Sequence, residues 1–462
     1  MNDDDLTIIG RRFGYGGSLA AAFGIRRADR RGHLYALGKT GTGKSTLLER
    51  LIVQDIQRGE GVALLDPHGD QATRLLDFIP PERINRTCYF NPADLAHPVG
   101  FNILASHPPE RRHLAVSGVV SAFKGIWRDS WGPRLEYILA NAVAALVELP
   151  GATLLHLPRL LADDAYRDRV GRRLADPIVR RYWLEEFAGY DPRFRAEAIA
   201  PVQNKVGQLL MSPAVRHIFG QERSTLDPRA MMDRRWIFIA NLSKGLLGDD
   251  KASLIGSLLV ACFELAALSR ADTPEAERPD FYLYVDEFQS YATESFASIL
   301  SEARKYRLCL SLFHQFEGQI ADPVRRAVFG NVGTILAFRL GQADAEHIAA
   351  ELEHVFKAQE LTDLGRFEIV VKLLEHNAAA VPFRAVTEPN DAPRFGRTAT
   401  IVEQSRMRFS RPRAAVERSL ARIMGREMSP APPRSARRSA AARAAKARPS
   451  WSPKSARRRS RR

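Results

Sequence analysis

The sequence predicts an α/β fold in which a mostly parallel sheet is covered by helices on both faces. Three observations carry this. Short apolar runs alternate repeatedly with segments whose apolar residues recur at helical spacing. Near the start of that alternation stands Gly38-Lys39-Thr40-Gly41-Thr42-Gly43-Lys44-Ser45-Thr46, which matches G-x-x-x-x-G-K-[ST]. Over about 108–222 the strand signals vanish and helical spacing dominates, as at Leu135, Ile138, Leu139, Ala142 and Leu146, so an all-helical insertion interrupts the sheet.

The elements follow in order. Residues 1–32 form a lead-in rich in glycine and arginine. The first part of the α/β domain spans 33–107. His33 to Leu37 reads as a strand, and Leu47, Leu48, Leu51, Ile52 and Ile56 mark a helix that Gly59 ends. Gly61 to Asp66 is a strand that stops at Pro67-His68-Gly69-Asp70, and Thr87 to Phe90 is another. Residues 108–222 are the insertion, with Trp127, Trp131 and Trp183 expected to pack in its core or to stack on bases. The second part of the domain spans 223–388. Its strands are Trp236–Ala240, Phe281–Val285, Leu308–Leu312, Thr334–Leu340 and Glu368–Leu374, and Leu254–Leu268 is an apolar helix. Residues 389–428 are a linker and a basic amphipathic helix, with Val416, Leu420 and Ile423 on one side and Arg418, Arg422 and Arg426 on the other. From Ser429 to Arg462 the chain is rich in Ser, Ala, Pro and Arg and is expected to be disordered.

The formal net charge of +15 suggests an anionic partner, but it is uneven. The tail from Ser429 holds 12 Lys/Arg and no acid, which leaves only +3 for the rest. The tail is expected to bind DNA phosphates without sequence preference; a solvated tail or an anionic membrane surface are the alternatives. Cys88, Cys262 and Cys309 show no metal spacing and read as buried hydrophobes in a reducing compartment. The acidic Met1-Asn2-Asp3-Asp4-Asp5 shows no signal-peptide pattern. Leu254–Leu268 is too short for a membrane span and contains Glu264, so a core helix is expected there.

Strand, glycine loop and helix together are a phosphate-binding arrangement. Gly38, Gly41 and Gly43 let backbone N–H groups turn inward, where the helix N-terminus adds partial positive charge. Lys44 reaches the β- and γ-phosphates of ATP, and the Ser45 hydroxyl sits on Mg²⁺. The apolar run Phe281–Val285 ends in Asp286-Glu287, the Walker B form: Asp286 for the metal, Glu287 for the attacking water. Gln315, at the end of the next strand, is placed to sense the γ-phosphate. An arginine inserted from a neighbouring subunit is expected from Arg304 first, then Arg307, with Arg339 a lesser candidate; a solvated helix-end charge is the plain alternative. His68 and His314 read as polar packing residues.

These pieces resemble the HerA–FtsK branch of the phosphate-loop ATPases, and within it the type IV secretion coupling proteins, the TraG/TraD-like conjugation ATPases. The matching segments are Asp29-Arg30-Arg31 with Gly38–Thr46, Leu65–Asp70, Asn241–Gly245, Val285–Phe288, Ser301–Tyr306 with Gln315, and Gly330–Thr334 with Arg339. The resemblance implies a RecA-like core, hexameric rings and ATP-driven movement of DNA through a central channel. It matches Arg304 to the neighbour-supplied arginine and Gln315 to the glutamine motif. It also implies relaxosome or type IV secretion proteins as partners. Such proteins typically begin with membrane helices, which this sequence does not show, so a cytoplasmic protein held at the inner membrane through partners is expected. Two other readings use the same motifs: a HerA-type translocase of repair or packaging, and an ATP-gated assembly factor that moves no DNA.

Overall fold

The computed structural model describes residues 5–14, 18–105, 107–293 and 296–426, and the side chains of all of these except 19 and 423–426. The side chains of Ile423 and Arg426 on the expected helix, and the tail from Ser429, therefore lie outside what is described. The chain divides into two units, Met1–Val416 and Glu417–Arg462, and the first holds the whole sheet. A helix, Arg413–Arg426, forms where the spacing predicts one.

The strands are β1 (Leu6–Phe13), β2 (Leu19–Arg26), β3 (Leu34–Leu37), β4 (Gly61–Asp66), β5 (Thr87–Phe90), β6 (Ile237–Asn241), β7 (Phe281–Val285), β8 (Leu308–His314), β9 (Thr334–Ala337), β10 (Glu368–Lys372), β11 (Leu374–Glu375), β12 (Ala378–Ala379) and β13 (Phe383–Thr387). Among the described residues an 11-stranded sheet runs β2-β1-β13-β10-β9-β3-β8-β7-β4-β6-β5. From β9 to β5 every pairing is parallel. β10, β13, β1 and β2 continue the sheet antiparallel. β11 and β12 make a separate two-stranded ribbon.

Successive side chains on a strand face opposite sides, and the core divides accordingly. Leu34, Ala36, Val62 and Leu64 pack on one face with Leu47, Leu48, Leu51 and Ile52 of the helix Lys44–Gln57. Tyr35, Leu37, Ala63 and Leu65 face the other side, with the helices between β5 and β6 and the helix Asp249–Ser269. The stretch Asp249–Asp272 is apolar and long enough to cross a membrane, but 72% of its apolar window is buried in the fold. Between Pro109 and Phe219 the described elements are helical. There Trp183 is buried and donates from Nε1 to the Asn141 carbonyl (3.2 Å), while Trp131 donates to Glu136 (2.6 Å). Trp127 is partly buried against the same core.

Two stretches differ from the sequence reading. The lead-in is a β-hairpin, β1 and β2, joined to the sheet through β13, with Gly10 opposite Thr387. Its Gly-Arg content hides the strands. Gly10 is needed because a Cβ there would fall 1.9 Å from the Val386 carbonyl oxygen. The linker contains a helix, Thr398–Phe409, docked on β5 through Ser405, whose hydroxyl accepts from Tyr89 N–H at 2.8 Å. The cysteines are free; Cys88 and Cys309 are buried and Cys262 is partly so.

Candidate functional site

The ends of β3, β8, β7 and β4 meet at one edge of the sheet, where loops after parallel strands collect. After β3 the loop Gly38–Gly43 enters the helix Lys44–Gln57. Gly41 and Gly43 have φ of 78° and 122°, which only glycine adopts freely. Gly38 is needed for space rather than for turning: a Cβ would stand 2.5 Å from Phe338 Cβ. The loop is tied at three points. Gly38 N–H donates to the His314 carbonyl (3.2 Å), Lys39 N–H to that of Arg339 (3.0 Å), and Phe367 N–H to that of Thr42 (2.8 Å). Lys44 Nζ crosses back to the Gly38 and Lys39 carbonyls at 2.5 and 3.0 Å. Burial lowers its pKa, against the pull of Glu287 and Asp286.

Asp286 extends the ladder by donating its N–H to Leu65 C=O (3.1 Å). The next residue, Glu287, is left-handed at φ 45° and ψ 55°. This turn breaks the strand alternation that would send the two carboxylates to opposite faces, and both line one cleft of about 310 Å³ with Lys44, Ser45 and Gln315. Gln315 Nε2 donates to Glu287 Oε1 and Gln289 Nε2 to Oε2, each at 2.6 Å. His68 Nε2 stands 3.9 Å from Oε1, an ion-pair separation rather than a hydrogen bond. Burial works to raise the Glu287 pKa, but His68, Gln289, Gln315 and Lys44 outweigh it and hold the group at about 2. Asp286 goes the other way. Burial, then Asp66 and Glu287, push it up to about 7. Asp66 is fully buried at the end of β4 and accepts N–H from His68 and Ala72, both at 2.8 Å. The Pro67–Asp70 turn thus carries His68 to the cleft, and Gly69 (φ 88°) makes room for Asn241, whose Oδ1 would be 2.5 Å from a Cβ.

Lys44, Ser45, Asp286, Glu287 and Gln315 are therefore brought together, with the loop residues Thr40, Gly41, Gly43 and Thr46. Arg304 is not among them. It precedes β8, at the opposite end of the strands, and its Nη2 donates to Asn377 Oδ1 at 2.5 Å. Arg307 lies at the same end, 3.3 Å from Glu275 and 3.9 Å from Asp280. Arg339 is exposed beside the glycine loop. His314, expected to serve in packing, is fully buried with Nδ1 2.9 Å from Tyr35 OH. Sequence reasoning missed Gln289, Arg366 and Phe367, which also border Glu287 or the cleft. Arg366 and Phe367 precede an ordinary strand and carry no local motif.

This topology and glycine loop define a RecA-like phosphate-loop fold. The fold is that of the bacterial conjugative coupling protein TrwB and of VirB4. TrwB without its first 70 residues, in an unbound monoclinic form, superposes with a TM-score of 0.59 at 15% identity, covering 84% of this chain and 91% of that one. TrwB in complex with ADP and Mg²⁺ gives 0.59 at 16%, covering 85% and 98%. VirB4 of Thermoanaerobacter pseudethanolicus gives 0.55 at 14%, covering 85% and 98%. The resemblance to the HerA–FtsK branch drawn from the motifs thus holds for the fold. No family model matches the chain, and no curated protein matches it in sequence.

Proposed function

We propose that the protein is a Mg²⁺-dependent ATPase that works as a DNA motor of conjugative transfer, a ring of copies moving or recruiting DNA. The observation that carries this is the convergence of Lys44, Ser45, Asp286, Glu287 and Gln315 in one cleft of a TrwB-like fold. The residues fit a divalent cation bound with a triphosphate. Asp66, Asp286 and Glu287 crowd negative charge into a buried corner, and the raised proton affinity of Asp286 reflects first its burial and then that crowding. When bound, Mg²⁺ with ATP supplies the electrophilic phosphoryl group and the positive charge that corner lacks.

The chain's own residues then divide the work. Lys44 holds the β/γ-phosphate oxygens from the crown of the loop. Ser45 and Asp286 take the metal. Glu287, kept ionised by its donors, accepts a hydrogen bond from water and orients it for in-line attack. Gln315, bonded to Glu287, couples occupancy of the cleft to β8. Arg304 belongs to the opposite end of the strands, so within this reading it serves a neighbour's cleft in a hexamer. Relaxosome or type IV secretion proteins are the partners of such a motor, and the cytoplasmic side of the inner membrane is its place. ATP hydrolysis measured with and without single- and double-stranded DNA tests the proposal. Stimulation several-fold by DNA, lost in Lys44→Ala, is expected. Hydrolysis indifferent to DNA would leave an assembly ATPase instead.

A further inference from the structure

Two non-glycine residues bordering the cleft have left-handed backbone, Glu287 (φ 45°) and Phe367 (φ 67°). The reading above gives Glu287 a task. Phe367 and its neighbour Arg366 have none. A left-handed conformation is unfavourable for a bulky aromatic residue and persists only where the surroundings over-determine it, commonly at a functional site. Here they do so. Phe367 N–H donates to Thr42 C=O (2.8 Å), and Phe367 C=O accepts from Thr387 N–H (2.9 Å) and Oγ1–H (3.2 Å). The ring lies against Gly43, where a Cβ would come within 2.6 Å of Phe367 Cδ1. The phosphate loop and this residue are built around each other. Arg366 Cζ stands 4.7 Å from the Phe367 ring centroid. Arg366 is exposed, borders the cleft, and makes no ion pair among the described residues.

The sheet order places this pair. β10, which Phe367 precedes, lies beyond β9 on one side of β3, while β8 and β7, which present Gln315 and Asp286-Glu287, lie on the other. The cleft therefore runs from carboxylates and amide at one end, past the glycine loop, to a guanidinium stacked on an aromatic ring at the other. A nucleoside triphosphate is polarised in the same sense, its terminal phosphate and its base at opposite ends.

We propose that Arg366 and Phe367 form the platform for the nucleotide's base, with the base stacked on the guanidinium and Phe367 backing it; this rests on the nucleotide reading above. Cation–π and stacking contacts read the face of a base and not its hydrogen-bonding edge. ATP and GTP are therefore held alike, and the platform adds nothing to the binding of a bare polyphosphate.

The experiment is equilibrium binding of ATP, GTP and inorganic tripolyphosphate, each with Mg²⁺, to the full chain and to Arg366→Ala and Lys44→Ala. Arg366 is exposed, so its truncation leaves no buried partner and the fold intact. Arg366→Ala is expected to weaken ATP and GTP roughly tenfold each, with tripolyphosphate unchanged. An equal loss for tripolyphosphate would make Arg366 a phosphate contact and overturn the platform. Unchanged ATP affinity would overturn it as well, and so would a parent chain that strongly prefers one purine. Lys44→Ala is expected to weaken all three. Failure of the parent to bind ATP, or a Lys44→Ala chain with parent affinity, would instead bring down the nucleotide reading itself.

Discussion

The two ends of the parallel strands both carry charged side chains and use them in opposite ways. At the N-terminal end of β3 the charges answer one another. Arg30, buried, makes a bidentate pair with Asp55 at 2.5 and 2.9 Å, donates to Tyr284 OH at 2.7 Å, and lies 3.8 Å over the Tyr282 ring. Arg27 joins Asp280 (3.0 Å) and Glu60 (3.1 Å), and Arg31 joins Asp280 again (2.9 Å). At the C-terminal end, Asp286 is buried among like charges and its pKa is raised to about 7, while Glu287 and Phe367 hold strained backbone. A buried charge marks architecture when its partner is built in. It marks a ligand site when like charges crowd it instead.

That contrast can be broken by mutation. Glu287→Gln should lower ATP turnover by roughly 10²–10⁴ while nucleotide binding and the thermal midpoint stay near the parent's; parent-rate hydrolysis would remove Glu287 from the chemistry. Arg30→Ala should do the reverse. It strands Asp55 and should cost about 3–5 kcal/mol of stability, read by denaturant unfolding, with any folded fraction still binding ATP.

The histidines sharpen the same comparison. His33 accepts Leu310 N–H at Nδ1 (3.2 Å) and contacts Leu300 C=O through Nε2 (3.2 Å), so it is held neutral. Burial lowers its pKa to about 4. Between its unfolded value near 6.5 and 4 the unfolded chain binds the proton and the folded chain does not, so stability falls as pH falls through that window, by about 3 kcal/mol for this residue. His33→Asn, which tolerates the positive φ of 64°, should flatten that acid limb. His314, also lowered to about 4 by burial, should keep part of it. An unchanged limb would show that His33 does not set it.

The smallest signal is the regain of activity in mixed rings. Arg304→Ala should be inactive alone and partly restored when mixed with Glu287→Gln, since some interfaces then pair an intact Arg304 with an intact Glu287. Mixtures that stay dead where mixed rings demonstrably form would exclude action between subunits.

What the sequence alone determined is whatever a few neighbouring residues dictate. The turn through Gly41 and Gly43, the helix after it, the apolar β4, β7 and β8 with their polar ends, and the helical spacing between β5 and β6 depend on local φ preferences and side-chain periodicity. So the strand–loop–helix unit and the Asp286-Glu287 pair were legible, and with them the sheet class. Only the tertiary structure decided which strand lies beside which, because pairings such as Gly10 with Thr387 join residues hundreds apart and are chosen by the packing of both faces at once. That choice brings Gln315 and His68 to Glu287, sends Arg304 to the far end of the strands, and turns a Gly-Arg lead-in into sheet. It also presses Phe367 onto Gly43, a contact no local pattern announces, because its cause is the space a glycine leaves more than three hundred residues away in the chain.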